Sequence, residues 1–105
     1  MSETIHALAY LEPFEGREEE LLRLLQEFYD CMRVKHYSHD LLFRNAKNDR
    51  HFIHLRRWES AAARELAVHD PEVQGFWRRL SAICEINTTY ESLDPIYCSF
   101  PEKES

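Results

Sequence analysis

From Arg50 to Leu80 the chain changes its periodicity twice, and few folds accommodate that change in so short a span. His51 to Glu59 alternates, with Phe52, His54, Arg56 and Trp58 on one side and Ile53 and Leu55 on the other, the two-residue period of a strand. Ser60 is then a natural N-cap for an Ala-rich helix over Ala61 to Val68, because its hydroxyl can accept a hydrogen bond from the first helical turn. His69 closes that segment, and Asp70-Pro71 opens another with proline in the first helical position, where its missing N–H costs nothing. Val73, Phe76, Trp77, Leu80, Ile83 and Cys84 share one side of this second helix and carry it to about Asn87. A strand that feeds directly into two amphipathic helices has to lay them back on its own sheet.

The rest of the chain supplies that sheet. Thr4 to Glu12 reads as a strand with Ile5, Ala7, Ala9 and Leu11 on one face and His6, Leu8 and Tyr10 on the other. Pro13-Phe14-Glu15-Gly16 turns the chain, and Glu18, Glu19 and Glu20 open a helix whose dipole favours them. Leu21, Leu24, Leu25, Phe28 and Met32, widened by Leu22 and Tyr29, form its apolar stripe and take it to about His36. Tyr37 to Asn45 and His51 to Glu59 are the second and third strands, joined by a hairpin loop Ala46-Lys47-Asn48-Asp49-Arg50. A last strand runs from Thr88 to about Tyr97, shortened or bent by Pro95.

The order strand, helix, strand, strand, helix, helix, strand predicts an α+β chain of ferredoxin-like, split βαβ type, with a four-stranded antiparallel sheet and its helices on one face. Leu41 and Phe43 on strand two, with Ile53 and Leu55 on strand three, then make the opposite face apolar as well. A chain of 105 residues has helix enough for one face only, so a homodimer packed sheet against sheet is expected. Residues 1–100 are read as one domain, with Pro101 to Ser105 as a tail prone to fray.

Charge narrows the partners. A formal net charge of −6 argues against nucleic acid and against an anionic membrane surface, both of which call for a basic face. No stretch approaches the about 20 apolar residues that span a bilayer, and Met1-Ser2-Glu3-Thr4 has neither the basic nor the apolar part of a secretory signal, so a cytoplasmic protein is expected. Cys31, Cys84 and Cys98 are odd in number and widely spaced, which suits separate thiols better than a disulfide framework or a zinc site. With only Gly16 and Gly75 there is no glycine-rich phosphate loop, and no bound cofactor or metal is expected.

Several segments in this order resemble the antibiotic biosynthesis monooxygenase (ABM) family of dimeric α+β-barrel proteins: the opening strand into Glu12-Pro13, the helix start Gly16-Arg17-Glu18-Glu19-Glu20, Phe52 to Trp58-Glu59-Ser60, and His69-Asp70-Pro71-Glu72 with Phe76. The resemblance covers roughly Thr4 to Leu93. It implies a pocket between sheet and helices in which some members oxidise aromatic polyketides with oxygen and no flavin or metal, while others bind and degrade haem. In the flavin-free oxygenases a Trp on strand three and an Asn four residues earlier are associated with the pocket. Trp58 matches the first of these, and the earlier position holds His54.

The candidate catalytic residues are therefore His54, Arg56 and Trp58, which alternation places on one face with Phe52. A histidine there can take a phenolic or enolic proton, leaving a carbanion-like substrate to react with oxygen. The structural alternatives are a polar strand residue at a dimer seam for His54, a surface salt bridge for Arg56 and core packing for Trp58. Phe52, Tyr10, His69, Phe76 and Tyr90 are the candidate substrate-binding residues. His69 also stands where the resemblance puts the axial ligand of haem-degrading members, although a histidine at a helix end is commonly a dipole partner. The expected ligand is a small aromatic or hydrophobic molecule, and the non-enzymatic alternative is a dimer that binds such a ligand or regulates a neighbouring protein.

Overall fold

Alternation along the first and third strands decides which residues meet beneath the helices. The computed structural model describes residues 5–97 and Ser99, so the tail Pro101 to Ser105 and Cys98 lie outside the described residues. The elements are β1 (Ile5–Pro13), α1 (Glu18–Val34), β2 (Ser38–Asn45), β3 (Asn48–Trp58), α2 (Ala61–Val68), α3 (Pro71–Ile83) and β4 (Cys84–Leu93). The strands form a four-stranded antiparallel sheet in the order β2-β3-β1-β4, the expected ferredoxin-like arrangement.

In register, Ile5 faces Trp58, Ala7 faces Arg56, Ala9 faces His54 and Leu11 faces Phe52. These pairs form the helix side of the sheet. Leu11, Phe52 and Trp58 are buried there with Leu21, Leu24, Leu25, Phe28 and Met32 of α1 and Val73, Phe76, Leu80 and Ile83 of α3. Each fully buried side chain of this size stabilises the fold by about 1.5–3 kcal/mol relative to exposure. The other side of the sheet is left open and apolar: Leu41 and Phe43 are 55% and 51% exposed.

Four boundaries differ from the sequence reading. Helix α1 stops at Val34 rather than His36, because His36 takes a left-handed backbone (φ 61°). Its N–H then reaches Arg33 O at 3.0 Å while the Tyr37 N–H reaches Met32 O at 2.9 Å, the paired bonds that close a helix at such a residue. Histidine in that conformation gives no sequence signal of the kind glycine would.

The expected five-residue loop between β2 and β3 is instead a two-residue turn, Ala46-Lys47, with Asn45 opposite Asn48 after a register shift. The carboxamide oxygens of Asn45 and Asn48 accept from the N–H groups of Lys47 and Arg50, so the loop's polar residues extend the hairpin.

Helix α3 ends at Ile83 and β4 begins at Cys84, well before the expected Thr88. Ile83 and Cys84 continue the helical stripe, with no Gly or Pro to stop it, but pairing of Cys84 with Pro13 and Glu85 with Glu12 draws the chain into the sheet. At its far end β4 stops at Leu93, short of the expected Tyr97, and Pro95 lies outside it.

The two N-caps are as expected. Ser60 Oγ accepts from Ala63 N at 3.0 Å, and Asp70 Oδ1 accepts from Glu72 N at 2.9 Å. Asp70 does more, because its other oxygen accepts from Lys35 Nζ at 2.9 Å and Tyr37 Oη at 2.7 Å, tying the start of α3 to the end of α1. Cys31 and Cys84 are free thiols, half-buried and buried respectively. Among the described residues no helix is long and apolar enough to cross a membrane.

Candidate active site

Strand β3 delivers His54, Arg56 and Trp58 to a cavity of about 270 Å³ between the sheet and helices α2 and α3. Ala7 and Ala9 of β1 line it too, and their small side chains leave the space that larger residues on this central strand would fill. The far wall is Trp77 of α3 with Arg64 and Val68 of α2, and Thr89, Tyr90 and Glu91 of β4 border it. A volume of this size is near the lower end of small-molecule sites.

Arg56 is 4% exposed, and its charge is balanced by a residue that the sequence reading did not single out. Asp40 on β2 sits opposite Arg56 in the hairpin register and accepts from its Nε at 2.5 Å, with only 1% of the aspartate side chain exposed. The guanidinium also lies over the rings of Phe28 and Trp58, 4.8 and 5.2 Å from their centroids. Burial pushes the Asp40 carboxyl up while Arg56 pulls it down, with burial the larger effect. One buried atom of the arginine, Nη2, has no hydrogen-bond partner among the described residues.

His54 is held by a residue of the α1 stripe. Its Nδ1 is 2.7 Å from the hydroxyl of Tyr29 on α1, and the two rings stack at 5.3 Å with an interplanar angle of 11°. Burial raises the Tyr29 phenol well above its ordinary value, and Asp40 adds to the rise, so the phenol keeps its proton and either donates to Nδ1 or accepts from it, according to the imidazole tautomer. Nε2 lies 4.0 Å from Asp40 Oδ1, too distant for a hydrogen bond. Burial, with Arg56 alongside, pushes the imidazole down to about 3, so His54 is neutral at physiological pH.

The structure brings together four of the residues named from the sequence: His54, Arg56, Trp58 and Tyr90 line one cavity. The other four lie elsewhere. Phe52 shares the strand face but is buried in the core beneath Arg44, and Phe76 is buried in a stack on Phe28 with centroids 4.9 Å apart. Tyr10 pairs with Ile53 on the opposite, open face of the sheet. His69 is the exposed C-cap of α2, and its Nε2 is 3.1 Å from Glu65, turned to solvent and away from the cavity lining. A histidine so placed does not fit an axial haem ligand for this cavity. Among the described residues no three His, Cys, Asp or Glu side chains converge as a metal site.

Tyr29, Asp40, Arg64 and Trp77 are the site residues that sequence reasoning missed as such. Trp77 was visible only as a member of an apolar helix stripe, and Tyr29 as one of five tyrosines whose hydroxyls could reach a pocket, ranked behind Tyr10 and Tyr90. The pairing of Asp40 with Arg56 had a signal in the hairpin register, since Asn45 opposite His51 carries Asp40 opposite Arg56. A separate groove of about 330 Å³ between α1 and the end of α3 is lined by Arg17, Glu20, Arg23, Glu27 and Arg79, all of them exposed. The buried polar groups gather at the β3 cavity instead.

The fold is shared widely. SnoaB of Streptomyces nogalater, a cofactor-independent oxygenase, superposes with a TM-score of 0.75 at 11% identity, over 90% of this chain and 98% of that one. Rv0793 of Mycobacterium tuberculosis gives 0.70 at 15% identity, over 90% and 99%. Protein SO0527 of Shewanella oneidensis gives 0.71 at 17% identity, over 88% and 93%. None of the curated proteins matches the chain. At these identities the structural likeness speaks for the fold alone, but the family description "antibiotic biosynthesis monooxygenase" matches the sequence itself over residues 4–79. The chain belongs to the antibiotic biosynthesis monooxygenase family.

Proposed function

We propose that the chain is a cofactor-independent oxygenase acting on a small aromatic or quinone-type compound in the cavity above β3. The observation that carries this reading is the convergence of a neutral imidazole, a buried guanidinium and the indoles of Trp58 and Trp77 on one cavity. The oxygenase activity of SnoaB on the same fold supports the reaction type by analogy. The indoles flank an electron-rich ring, Arg56 orients it, and the imidazole of His54, held by Tyr29, takes its phenolic or enolic proton. The resulting carbanion-like carbon reacts with oxygen directly. For an anthrone-type CH₂ group the balance closes: four electrons pass to O₂, one oxygen atom becomes the new carbonyl and the other leaves as water.

The test is oxygen uptake with a panel of anthrone- and hydroquinone-type compounds, comparing wild type with folded His54→Ala. Positioned general bases contribute about 10²–10⁴-fold, and an imidazole with basicity depressed this far belongs at the lower end, so a loss of about 10²-fold is expected. Equal rates would remove His54 from the chemistry. No uptake by wild type across the panel would favour a non-catalytic ligand-binding or regulatory module, the reading that the low basicity of His54 itself supports.

The working form that we propose is a homodimer. Tyr10, Leu41, Phe43 and Tyr90 are large apolar or aromatic side chains at least 40% exposed, and by register all four stand on the open side of the sheet, Tyr90 at the cavity's edge. Burying such a face against a second copy removes apolar area from water that the monomer's helices cannot reach. Light scattering should give about twice the 12.6 kDa chain mass at micromolar concentration, and a monomer there would reject the dimer.

A further inference from the structure

The open face of the sheet is polar at both ends and apolar between, and the two ends differ in charge. Across one end the strand registers set His39, Arg57 and His6 side by side. Across the other stand His51, Glu12 and Glu85, with Glu12 paired to Glu85 and its carboxylate 3.3 Å from His51 Nε2. Between them lie two apolar rows, one centred on Leu8 and Leu55 and the other on Tyr10 and Ile53. The layout is even about one level: Ala9 is midway along β1 between His6 and Glu12, and its partner His54 is midway along β3 between Arg57 and His51. At about 3.3 Å per residue the two charged rows are roughly 20 Å apart. His39 is already held by Glu59 at 2.6 Å, whereas Arg57 and Glu85 are exposed and have no ion-pair partner among the described residues. The basic end is also hollowed, since His6, His39, Leu41, Leu55 and Arg57 line a recess of about 290 Å³. Asp40 borders this recess too, but its carboxylate is turned to Arg56 on the other side of the sheet.

We propose that the open faces of two copies meet about a two-fold axis running across the strands at the level of Ala9 and His54, so that the basic row of each copy lies on the acidic row of the other. The inference rests on the homodimer proposed above and adds how its two copies are turned and which residues set the turn. Two sheets packed face to face with aligned strands have two symmetric choices, an axis along the strands or one across them. An axis along the strands keeps the levels and reverses the strand order, which places Arg57 over the partner's His6 and basic row on basic row. An axis across the strands exchanges the levels, which places His6 over the partner's Glu12 with Arg57 beside it, and stacks the Leu8 row on the partner's Tyr10 row. The recess at the basic end then leaves room for the side chains of the opposing acidic row. Each contact occurs twice in such a dimer, so a modest charge preference counts double. The apolar rows supply the affinity, and the charged rows select the orientation.

The experiment is a charge swap in the full chain, read by sedimentation equilibrium at low ionic strength and by native mass spectrometry. Arg57→Glu sets acid against acid at both contacts and is expected to weaken self-association about tenfold or more. The double variant Glu12→Lys/Glu85→Lys sets base against base and is expected to do the same, which provides a second arm should either protein not fold. Mixed in equal amounts, the two variants are expected to form almost only the mixed dimer, where random exchange gives about half. That preference should fade in high salt, as charge selection does. Arg23→Glu, which makes the same charge change on the exposed face of α1, is expected to leave self-association unaltered. Undiminished pairing of Arg57→Glu with itself, random exchange in the mixture, or an equal loss in Arg23→Glu overturns the proposed orientation and leaves the homodimer in place. A wild-type chain that stays monomeric overturns both.

Discussion

Asp40→Ala is expected to destabilise the fold by about 3–5 kcal/mol, the cost of leaving one member of a buried ion pair without its partner. The guanidinium of Arg56 is packed between Phe28 and Trp58 and cannot turn to solvent without opening the core around β3. Single domains are stable by only about 5–15 kcal/mol, so the variant should unfold at markedly lower urea concentration. Removing both charges with Asp40→Leu/Arg56→Met should restore most of the loss, because desolvating two ions offsets much of their mutual attraction. If the single variant unfolds at the wild-type midpoint, the pair is not the structural element described, and if the double variant is the worse of the two, the penalty lies in packing rather than in the stranded charge.

The second large effect is expected in acid. His54, pushed down to about 3 in the folded chain, titrates near 6.5 when unfolded, so between those values the unfolded chain binds a proton that the folded chain refuses. The stability associated with His54 is thus fully present above about pH 6.5 and falls by roughly 1.4 kcal/mol for each pH unit below it, until the folded site protonates. Asp40 has the opposite sign, since a carboxyl raised by burial is protonated earlier in the folded chain than in the unfolded one. Asp70, lowered to about 2 by the hydrogen bonds of Lys35 and Tyr37, shares the sign of His54 but acts only below the ordinary carboxylate range. The interval from pH 6 to pH 4 should therefore report His54 against an opposing contribution from Asp40, and the difference between wild type and a histidine variant isolates the imidazole. Urea midpoints measured across it should decline in wild type and lose most of their slope in His54→Asn, and equal slopes in the two proteins would place His54 in a more polar setting than the structure gives it.

The parts legible in the sequence are those that depend on local period. The alternation of β3 placed His54, Arg56 and Trp58 on one face, and the stripe of α1 from Leu21 to Met32 was readable for the same reason. What was not legible depends on partners distant in the chain. Strand β4 starts at Cys84 because Pro13 and Glu12 are there to pair with it, a fact absent from the local stripe that ran on through Ile83. Tyr29 was one of five tyrosines with a hydroxyl to offer, and nothing local singled it out as the one that meets a histidine 25 positions away. Tyr10 was chosen because its strand was rightly taken as central, although the alternation of that strand already put it on the face opposite Ala7 and Ala9, away from the cavity.

The position of β1 in the sheet has a consequence for how the chain is made. It is the first of the described strands to be synthesised, yet both of its neighbours, β3 and β4, come later, so its backbone donors and acceptors stay open until much of the domain has been translated. Leu11 pairs with Phe52 on one side and with Ile86 on the other, nearly a doubling of the loop to be closed. A doubling adds only about 0.6 kcal/mol to the closure cost, so the arrangement is thermodynamically cheap. Its burden is kinetic, because non-local strand pairing is slow and an unpaired apolar strand can find other chains first. Nascent chains of this protein should therefore be most vulnerable to aggregation between the emergence of β1 and that of β3, with the β2–β3 hairpin as the local unit able to form first and receive it.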